Sequence, residues 1–206
     1  MRRPEFIAKQ SRCPTGLLGW FLGRIMETET APENDATLER LVLQPGDRVL
    51  EVGFGPGRAI ERVAVVVTSG TVVGVEISEE MLRMATRRCE RFIREGRVDL
   101  RLGSIERLPF ESASFDKAYS VHTLYFWARP AEVLADIRRV LKRGGVFALC
   151  FRPSGDPSTG SFPPDVYRFY TNDEVTRLLR EGGFGQIAVR ETDTSRGLLI
   201  ATARAE

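Results

Sequence analysis

The segment that most constrains the fold is a short apolar stretch that runs directly into three closely spaced glycines. Arg48–Val52 has the pattern of a buried strand, Gly53, Gly55 and Gly57 follow it, and apolar residues at helical spacing begin again at Ile60. Glycine permits a sharp turn and a close approach of the backbone to a ligand, because it has no Cβ. A strand, a glycine turn and a helix in this order are typical of an α/β sheet that binds a ligand at its first loop.

The alternation of strands and helices continues after this loop. Four further apolar or β-branched stretches predict strands: Thr71–Ile77, Val98–Leu102, Phe115–Ser120 and Val146–Arg152. Two β-rich segments near the C-terminus, Gln186–Glu191 and Leu198–Ala203, are separated by Thr192–Gly197 and predict an antiparallel hairpin. The fold class is therefore α/β, a Rossmann-like, doubly wound, mostly parallel sheet of seven strands with a C-terminal antiparallel hairpin and N-terminal helices.

Two of the helices have recognisable beginnings or ends. Ser78 is a suitable N-cap for a single helix whose buried stripe runs over Leu82–Ile93. A second amphipathic helix contains Val133–Leu141, and we expect Gly144-Gly145 to stop it.

The first 46 residues differ from the rest, because they carry helical patterns and no strand. Apolar residues recur there at helical spacing over Leu17–Ile25. We divide the chain into a helical extension or lid, residues 1–46, and an α/β domain, residues 47–206. The apolar stripe either belongs to a lid over a substrate or covers an apolar edge of the sheet.

The spacing within the glycine loop narrows the class of ligand. A dinucleotide fingerprint has a small residue where this chain has Arg58, and Pro56 lacks the N–H that a pyrophosphate would need. Glu76 ends the second strand, where a carboxylate can accept hydrogen bonds from ribose hydroxyls; its alternative role is to cap the following helix. The pattern indicates a ligand without a pyrophosphate that still needs a close backbone approach.

Four segments taken together resemble the class I S-adenosylmethionine-dependent methyltransferases. They read VLEVGFGPGRAIERV, VVGVEISEEML, LGSIERLPFESASFDKAYSV and RRVLKRGGVF, and they lie between Gln44 and Phe151. The strongest similarity is to the small-molecule branch with a methyltransferase type 11 domain, which includes the ubiquinone- and menaquinone-biosynthesis methyltransferases. The resemblance implies that S-adenosylmethionine is the cofactor and that its methyl group is transferred.

The resemblance also implies which residues bind the cofactor. The loop glycines would line its methionine part, Glu51 would hold its ammonium group, and Glu76 would bind its ribose. Ser104 stands where the family usually has an aspartate that accepts from the adenine amino group, and a neutral hydroxyl is a weaker acceptor by on the order of 1 kcal/mol. The full implied set is Glu51, Gly53, Gly55, Gly57, Glu76, Ile77, Met81, Ser104, Ile105 and Ser120.

The segment after the fourth strand holds the candidates for the chemical step. His122 is the single histidine, and it either acts as a general base or lines the cofactor pocket in a structural role. Tyr125, with Phe126 and Trp127, either packs on an aromatic acceptor or on the sulfonium, or anchors the next helix. Methyl transfer needs mainly positioning and shielding from water, and it needs a base only for a protonated acceptor.

Composition and charge limit the partners. A formal net charge of +2 over 206 residues argues against a dedicated nucleic-acid binder, and the arginines over residues 83–94 are interleaved with glutamates as in a solvated face. Three scattered cysteines and one histidine form no metal-ligand cluster and fit a reducing cytoplasm, and no stretch is apolar enough for a membrane span.

We expect a small, partly apolar or aromatic acceptor. An RNA or protein methyltransferase, or a protein that binds the cofactor without methylating, are the alternatives, and the oligomeric state is open.

Overall fold

The seven strands form one sheet in the computed structural model, which describes residues 3–192 and 197–206. The sheet order is β3-β2-β1-β4-β5-β7-β6. The strands are β1 (Arg48–Val52), β2 (Thr71–Glu76), β3 (Val98–Leu102), β4 (Phe115–Val121), β5 (Leu141–Phe151), β6 (Phe184–Glu191) and β7 (Leu199–Ala205).

Strands β1 to β5 run parallel, and β7 runs antiparallel to both β5 and β6. The predicted fold class and the C-terminal hairpin are therefore confirmed. Residues 193–196 of the expected turn lie outside the described residues. The strand order reverses between β1 and β4, and ligands of such sheets bind at the carboxyl ends of the strands beside this switch point.

Helices cover both faces of the sheet, and each face has its own apolar core. Leu41, Ile60 and Ala85 belong to the core on one face, and Leu134 and Leu179 belong to the core on the other. The helices are α1 (Glu5–Arg12), α2 (Gly16–Glu29), α3 (Ala31–Leu41), α4 (Arg58–Val66), α5 (Glu79–Arg88), α6 (Glu90–Arg94), α7 (Pro130–Val140) and α8 (Asn172–Glu181). None of these helices is long and apolar enough to span a membrane, as far as the described residues go.

Two helix expectations need correction. The stripe over Leu82–Ile93 belongs to two helices, because the chain leaves regular helical geometry at Cys89, between α5 and α6. Gly144-Gly145 does not stop α7, which ends before Leu141. The reason is that Leu141 already pairs with Phe115 of β4, so the glycine pair falls where the register of β5 against β4 shifts.

Helix α2 forms where the apolar spacing predicts it, but it presents the opposite face to the protein. Gly19 and Gly23 are its buried residues, whereas Leu17 is 90% exposed and Phe21 is 57% exposed. The apolar stripe therefore does not cover an edge of the sheet. Helix α2 packs instead against α5.

Candidate active site

A cavity lies beyond the carboxyl ends of β1, β2 and β4, at the switch point of the sheet. Its walls come from the loops that follow these strands and β3, and from the N-terminal helices. Nine of the twelve residues that we predicted for the site line this cavity: Glu51, Gly53, Gly55, Glu76, Ile77, Met81, Ser104, Ile105 and His122.

The three loop glycines all have positive φ, between +51° and +82°, but a Cβ at each of them would have different surroundings. A Cβ at Gly55 would meet no protein atom within 4 Å, so it would project into open space at the cavity wall. A Cβ at Gly53 would overlap Thr123, and one at Gly57 would overlap Ala85 of α5. Gly55 thus permits close approach of a ligand. Gly57 does not line the cavity, because it packs the start of α4 against α5.

The Glu76 carboxylate connects the loop after β1 with the loop after β2. Its Oε2 accepts from the Gly55 N–H at 3.0 Å, and its Oε1 accepts from the Ile77 and Ser78 N–H groups at 2.9 and 3.0 Å. A carboxylate oxygen accepts two hydrogen bonds, so Oε2 retains capacity for a ligand hydroxyl. Burial raises the pKa of Glu76, and the three N–H bonds oppose that shift. The helix-capping role belongs to Ser78, whose hydroxyl accepts from the Met81 N–H.

Glu51 lies at the floor of the cavity and has a buried partner. The Tyr119 hydroxyl donates to Glu51 Oε2 at 2.7 Å, and both side chains are buried. Burial raises the pKa of Glu51 to about 8, with a smaller contribution from the charge of Glu76. Tyr119 was not among the predicted site residues, because its position in the sequence is that of a core residue of β4. The signal lies in the register, since Tyr119 pairs directly with Glu51 of β1.

Ser120 stands beside the cavity but does not line it. Its side chain is fully buried, and its hydroxyl donates to the Val52 carbonyl at 2.7 Å and contacts the Thr123 hydroxyl. Ser120 is therefore not brought to the cavity with the other predicted residues, and its binding of the cofactor stays a prediction. Its hydroxyl is used to hold the loop after β4 against the end of β1.

His122 lines the cavity with a backbone φ of +60°, which is uncommon for a non-glycine residue. Its Nδ1 lies 3.1 Å from the Tyr125 hydroxyl, and that hydroxyl accepts from the Arg152 N–H. The direction of this hydrogen bond depends on which ring nitrogen of His122 carries the proton, because the Tyr125 hydroxyl can donate to Nδ1 or accept from it.

Tyr125 itself is buried and lies outside the cavity wall. Its ring packs among aromatic side chains, with ring centroids 4.9 Å from Phe169 and 6.1 Å from Tyr167, and burial raises the pKa of its hydroxyl. Of the two roles open to Tyr125, the packing supports that of an anchor.

The cavity end formed by the loop after β3 contains a carboxylate that the sequence analysis missed. Ser104 lies at this end, and its hydroxyl accepts from the Glu106 N–H at 3.2 Å. Glu106 also lines the cavity and lies 3.7 Å from Arg129 across a surface ion pair. A carboxylate therefore stands two residues after the position of the usual aspartate.

The N-terminal extension supplies one wall of the cavity. Cys13, Pro14, Met26, Glu27, Thr30 and Asn34 belong to this wall. The Ser78 hydroxyl donates to the Pro14 carbonyl, so the loop after β2 is joined to the segment between α1 and α2. The extension was expected as a lid, but most of the residues that face the cavity could not be singled out, because this part of the chain has no motif.

Comparison with known proteins relates the chain to methyltransferases. A family model described as a methyltransferase domain matches residues 50–149. An uncharacterised methyltransferase of Bacillus subtilis, YdaC, is 34% identical over 131 residues, which are 64% of this chain and 70% of that protein. Demethylmenaquinone methyltransferase of Tropheryma whipplei is 36% identical over 145 residues, 70% of this chain and 56% of that protein. An uncharacterised transposon protein of Streptomyces fradiae is 34% identical over 173 residues, 82% of this chain, and the match spans 49% of that protein's length.

Solved structures share the fold. A methyltransferase of Aquifex aeolicus that depends on S-adenosylmethionine superposes with a TM-score of 0.69 at 19% identity, over 100% of both chains. A geranyl diphosphate methyltransferase in complex with S-adenosylmethionine superposes with a TM-score of 0.70 at 16% identity, over 84% of both chains. At these identities the likeness establishes the architecture alone.

Replacing Glu51 with glutamine should change how stability depends on pH. The folded protein retains the Glu51 proton up to about pH 8, whereas the unfolded chain releases it near the ordinary value of 4.5. The free energy of unfolding therefore falls as the pH rises through this range. In thermal unfolding at a series of pH values, the free energy of unfolding of Glu51→Gln should fall less steeply with pH than that of the parent. Near pH 8 it should exceed the parent's value by a few kcal/mol. Glu79→Gln, at an exposed position on α5, is the control. Parallel profiles for Glu51→Gln and the parent would contradict the shifted pKa.

Proposed function

Because the chain belongs to the family of S-adenosylmethionine-dependent methyltransferases, we propose that it methylates a small molecule that is partly apolar or aromatic. The observation that carries the proposal is the arrangement of Glu51, Gly55 and Glu76 around one cavity at the switch point of the sheet. One of the relatives, demethylmenaquinone methyltransferase, is named for a small molecule.

The donor and acceptor groups of the cavity fit the cofactor. Bound S-adenosylmethionine supplies an electrophilic methyl group on its sulfonium. Glu51 would accept from the ammonium group, and Glu76 would accept from a ribose hydroxyl through the remaining capacity of Oε2. The open space at Gly55 allows the backbone to approach the ligand closely. The adenine would lie against Ile77 and Met81.

Part of the cavity lining is apolar and aromatic. Val121, Phe126 and Trp127 line the cavity together with His122 from the segment after β4. Such a surface favours an acceptor with an apolar or aromatic part over a chain of phosphates. The N-terminal wall, which we propose to be a lid, would exclude water from the reacting atoms.

The basic surface of α5 and α6 gives no support to a polyanionic acceptor. Arg83 pairs with Glu80, and Arg91 pairs with Glu95 at 2.8 Å. These guanidinium groups belong to a solvated, charge-balanced face.

We propose that His122 orients the acceptor by a hydrogen bond, and that Tyr125 positions His122. The Tyr125 hydroxyl accepts from the Arg152 N–H and lies 3.1 Å from Nδ1, so it ties the imidazole to the residue that follows β5. A neutral imidazole held in this way can donate to an acceptor oxygen or nitrogen, or it can remove a proton, depending on its tautomer. Substitutions at His122 distinguish the two roles.

Cofactor binding should depend strongly on Glu76. In Glu76→Gln an amide NH2 would face backbone N–H donors, and the ionised acceptor for the ribose is lost. Calorimetry with S-adenosylhomocysteine should show a Kd raised by about tenfold to a hundredfold. Glu79→Gln on α5 is the matched control and should bind like the parent. An unchanged Kd for Glu76→Gln in a folded protein would place the ribose elsewhere.

The acceptor class can be tested by following a labelled methyl group. Purified protein with methyl-labelled S-adenosylmethionine should transfer label to members of a panel of phenols, quinols, thiols and amines. Bulk RNA and a mixture of folded proteins serve as the competing acceptors. Label found solely in RNA or in the added proteins would contradict the proposed acceptor class. Failure of the purified chain to bind S-adenosylmethionine at about millimolar concentration would refute the cofactor assignment as well.

Two substitutions distinguish an orienting role of His122 from the role of a general base. His122→Ala should lower kcat by about tenfold or more, because the acceptor loses its orientation, while the Kd for S-adenosylhomocysteine stays the same. His122→Gln should recover much of the rate, since its amide N–H can donate but cannot act as a base at neutral pH. A glutamine variant as slow as the alanine variant would favour the general base instead.

A further inference from the structure

The side-chain amide of Asn34, in the first turns of α3, is held in one orientation by Thr30. Its Nδ2 donates to the Thr30 carbonyl at 2.8 Å and to the Thr30 hydroxyl at 3.1 Å. The Thr30 hydroxyl donates in turn to the Met26 carbonyl at 2.8 Å. Because a carbonyl can only accept, the side of the amide that faces Thr30 must be the NH2 group. Both hydrogens of that group are used, and the amide oxygen points elsewhere.

Asn34 Oδ1 retains its capacity to accept a hydrogen bond from a ligand in the cavity. The residue lines the cavity, although it is only 9% exposed. Among the described residues none donates to Oδ1, and this oxygen is not one of the buried side-chain atoms that are sealed from solvent. Buried amide oxygens normally accept at least one hydrogen bond. The ligand group that reaches Oδ1 must be a donor, because Asn34 has no further N–H to offer.

An ion pair with the helix after the glycine loop holds the start of α3 at the cavity. Arg58, the first residue of α4, contacts the two carboxylate oxygens of Asp35 at 2.9 and 3.3 Å and also donates to the Ala31 carbonyl. A two-point contact of this kind fixes orientation as well as distance. The large residue that stands where a dinucleotide fingerprint has a small one therefore serves to place α3.

Asn34 lies on the same face of the sheet as Glu51. Asn34, Leu38 and Leu41 are separated by four and three residues, so they lie on one side of α3. Leu41 and Tyr119 belong to the same apolar core, and the Tyr119 hydroxyl donates to Glu51. Helix α3 packs against β4, which is the neighbour of β1 in the sheet. The cavity is thus lined from one side by two oxygen acceptors, a carboxyl group and an amide.

We infer that Asn34 Oδ1 accepts a hydrogen bond from the ammonium group of the cofactor, beside Glu51, so that the N-terminal extension takes part in recognising the cofactor. The inference rests on the proposed function. The amino-acid end of S-adenosylmethionine carries a carboxylate, which has no donor, and an ammonium group, which has three. Each N–H that is removed from water needs an acceptor, and Glu51 alone leaves others unmatched. Asn34 supplies one of the acceptors that are still required.

Two ligands that differ in one amino group test the inference. Calorimetry compares S-adenosylhomocysteine with an analogue in which hydrogen replaces the α-amino group. The parent should prefer S-adenosylhomocysteine by about a hundredfold, because its ammonium group contacts both Asn34 and Glu51. Asn34→Ala should raise the Kd of S-adenosylhomocysteine by about tenfold and leave the Kd of the analogue nearly unchanged. A general loss of stability would affect both ligands alike, so the ratio of the two Kd values reports on the amino group.

Three further variants complete the comparison. Asn34→Asp keeps an acceptor oxygen and should retain most of the preference for the amino group. Glu51→Gln should narrow the preference, because the ionised acceptor of the ammonium group is lost. Asn172→Ala, at the exposed start of α8, is the matched control and should bind both ligands like the parent.

Two results would overturn the inference while the proposed function stands. If Asn34→Ala weakens the binding of both ligands by the same factor, Asn34 supports the structure and does not contact the amino group. If Asn34→Ala binds both ligands like the parent, Oδ1 serves another donor, such as one on the methyl acceptor. A parent protein that binds neither ligand at about millimolar concentration would instead refute the proposed function, and the inference with it.

Discussion

The architecture of the site depends on one buried carboxylate that accepts hydrogen bonds from two loops. Glu76 accepts from the N–H of Gly55 and from the N–H groups of Ile77 and Ser78, which precede α5, and so fixes the distance between the loops after β1 and β2. Its burial opposes ionisation, and a second buried carboxyl group, Glu51, lies close enough for the charge of Glu76 to raise the pKa of Glu51 further. A ligand that brings an ammonium group and hydroxyl donors relieves this conflict, which is how perturbed carboxyl groups come to mark binding sites.

Much of the cavity wall could be predicted from the sequence, because its residues lie at the ends of strands that the sequence pattern identifies. Glu76 ends such a strand, Gly55 and Ser104 follow others within three residues, and parallel strands bring their carboxyl ends to one edge. Ser120 shows the limit of this argument. A residue at the right edge can still turn its hydroxyl to a neighbouring carbonyl, and only the register and rotamer decide between the two directions.

The residues that could not be predicted depend on contacts between distant parts of the chain. Tyr119 reaches Glu51 because β4 pairs with β1 in one particular register, and no local pattern specifies that pairing. For α2 the helix could be predicted but not its orientation. A hydrophobic stripe is normally the inward face, yet here Gly23 lies against Met81 and Met84 of α5 and Gly19 lies against Pro14. Side-chain volume, rather than hydrophobicity, determines which face of α2 is buried.

The Ser78 hydroxyl has a wider consequence, because it accepts from the Met81 N–H at the start of α5 and donates to the Pro14 carbonyl of the extension. The start of α5 and the extension are thereby joined through one side chain, and Pro14 itself lines the cavity. A ligand that contacts Pro14 in the cavity stabilises this arrangement of the extension, and whatever holds the extension in this arrangement strengthens binding of that ligand by the same free energy.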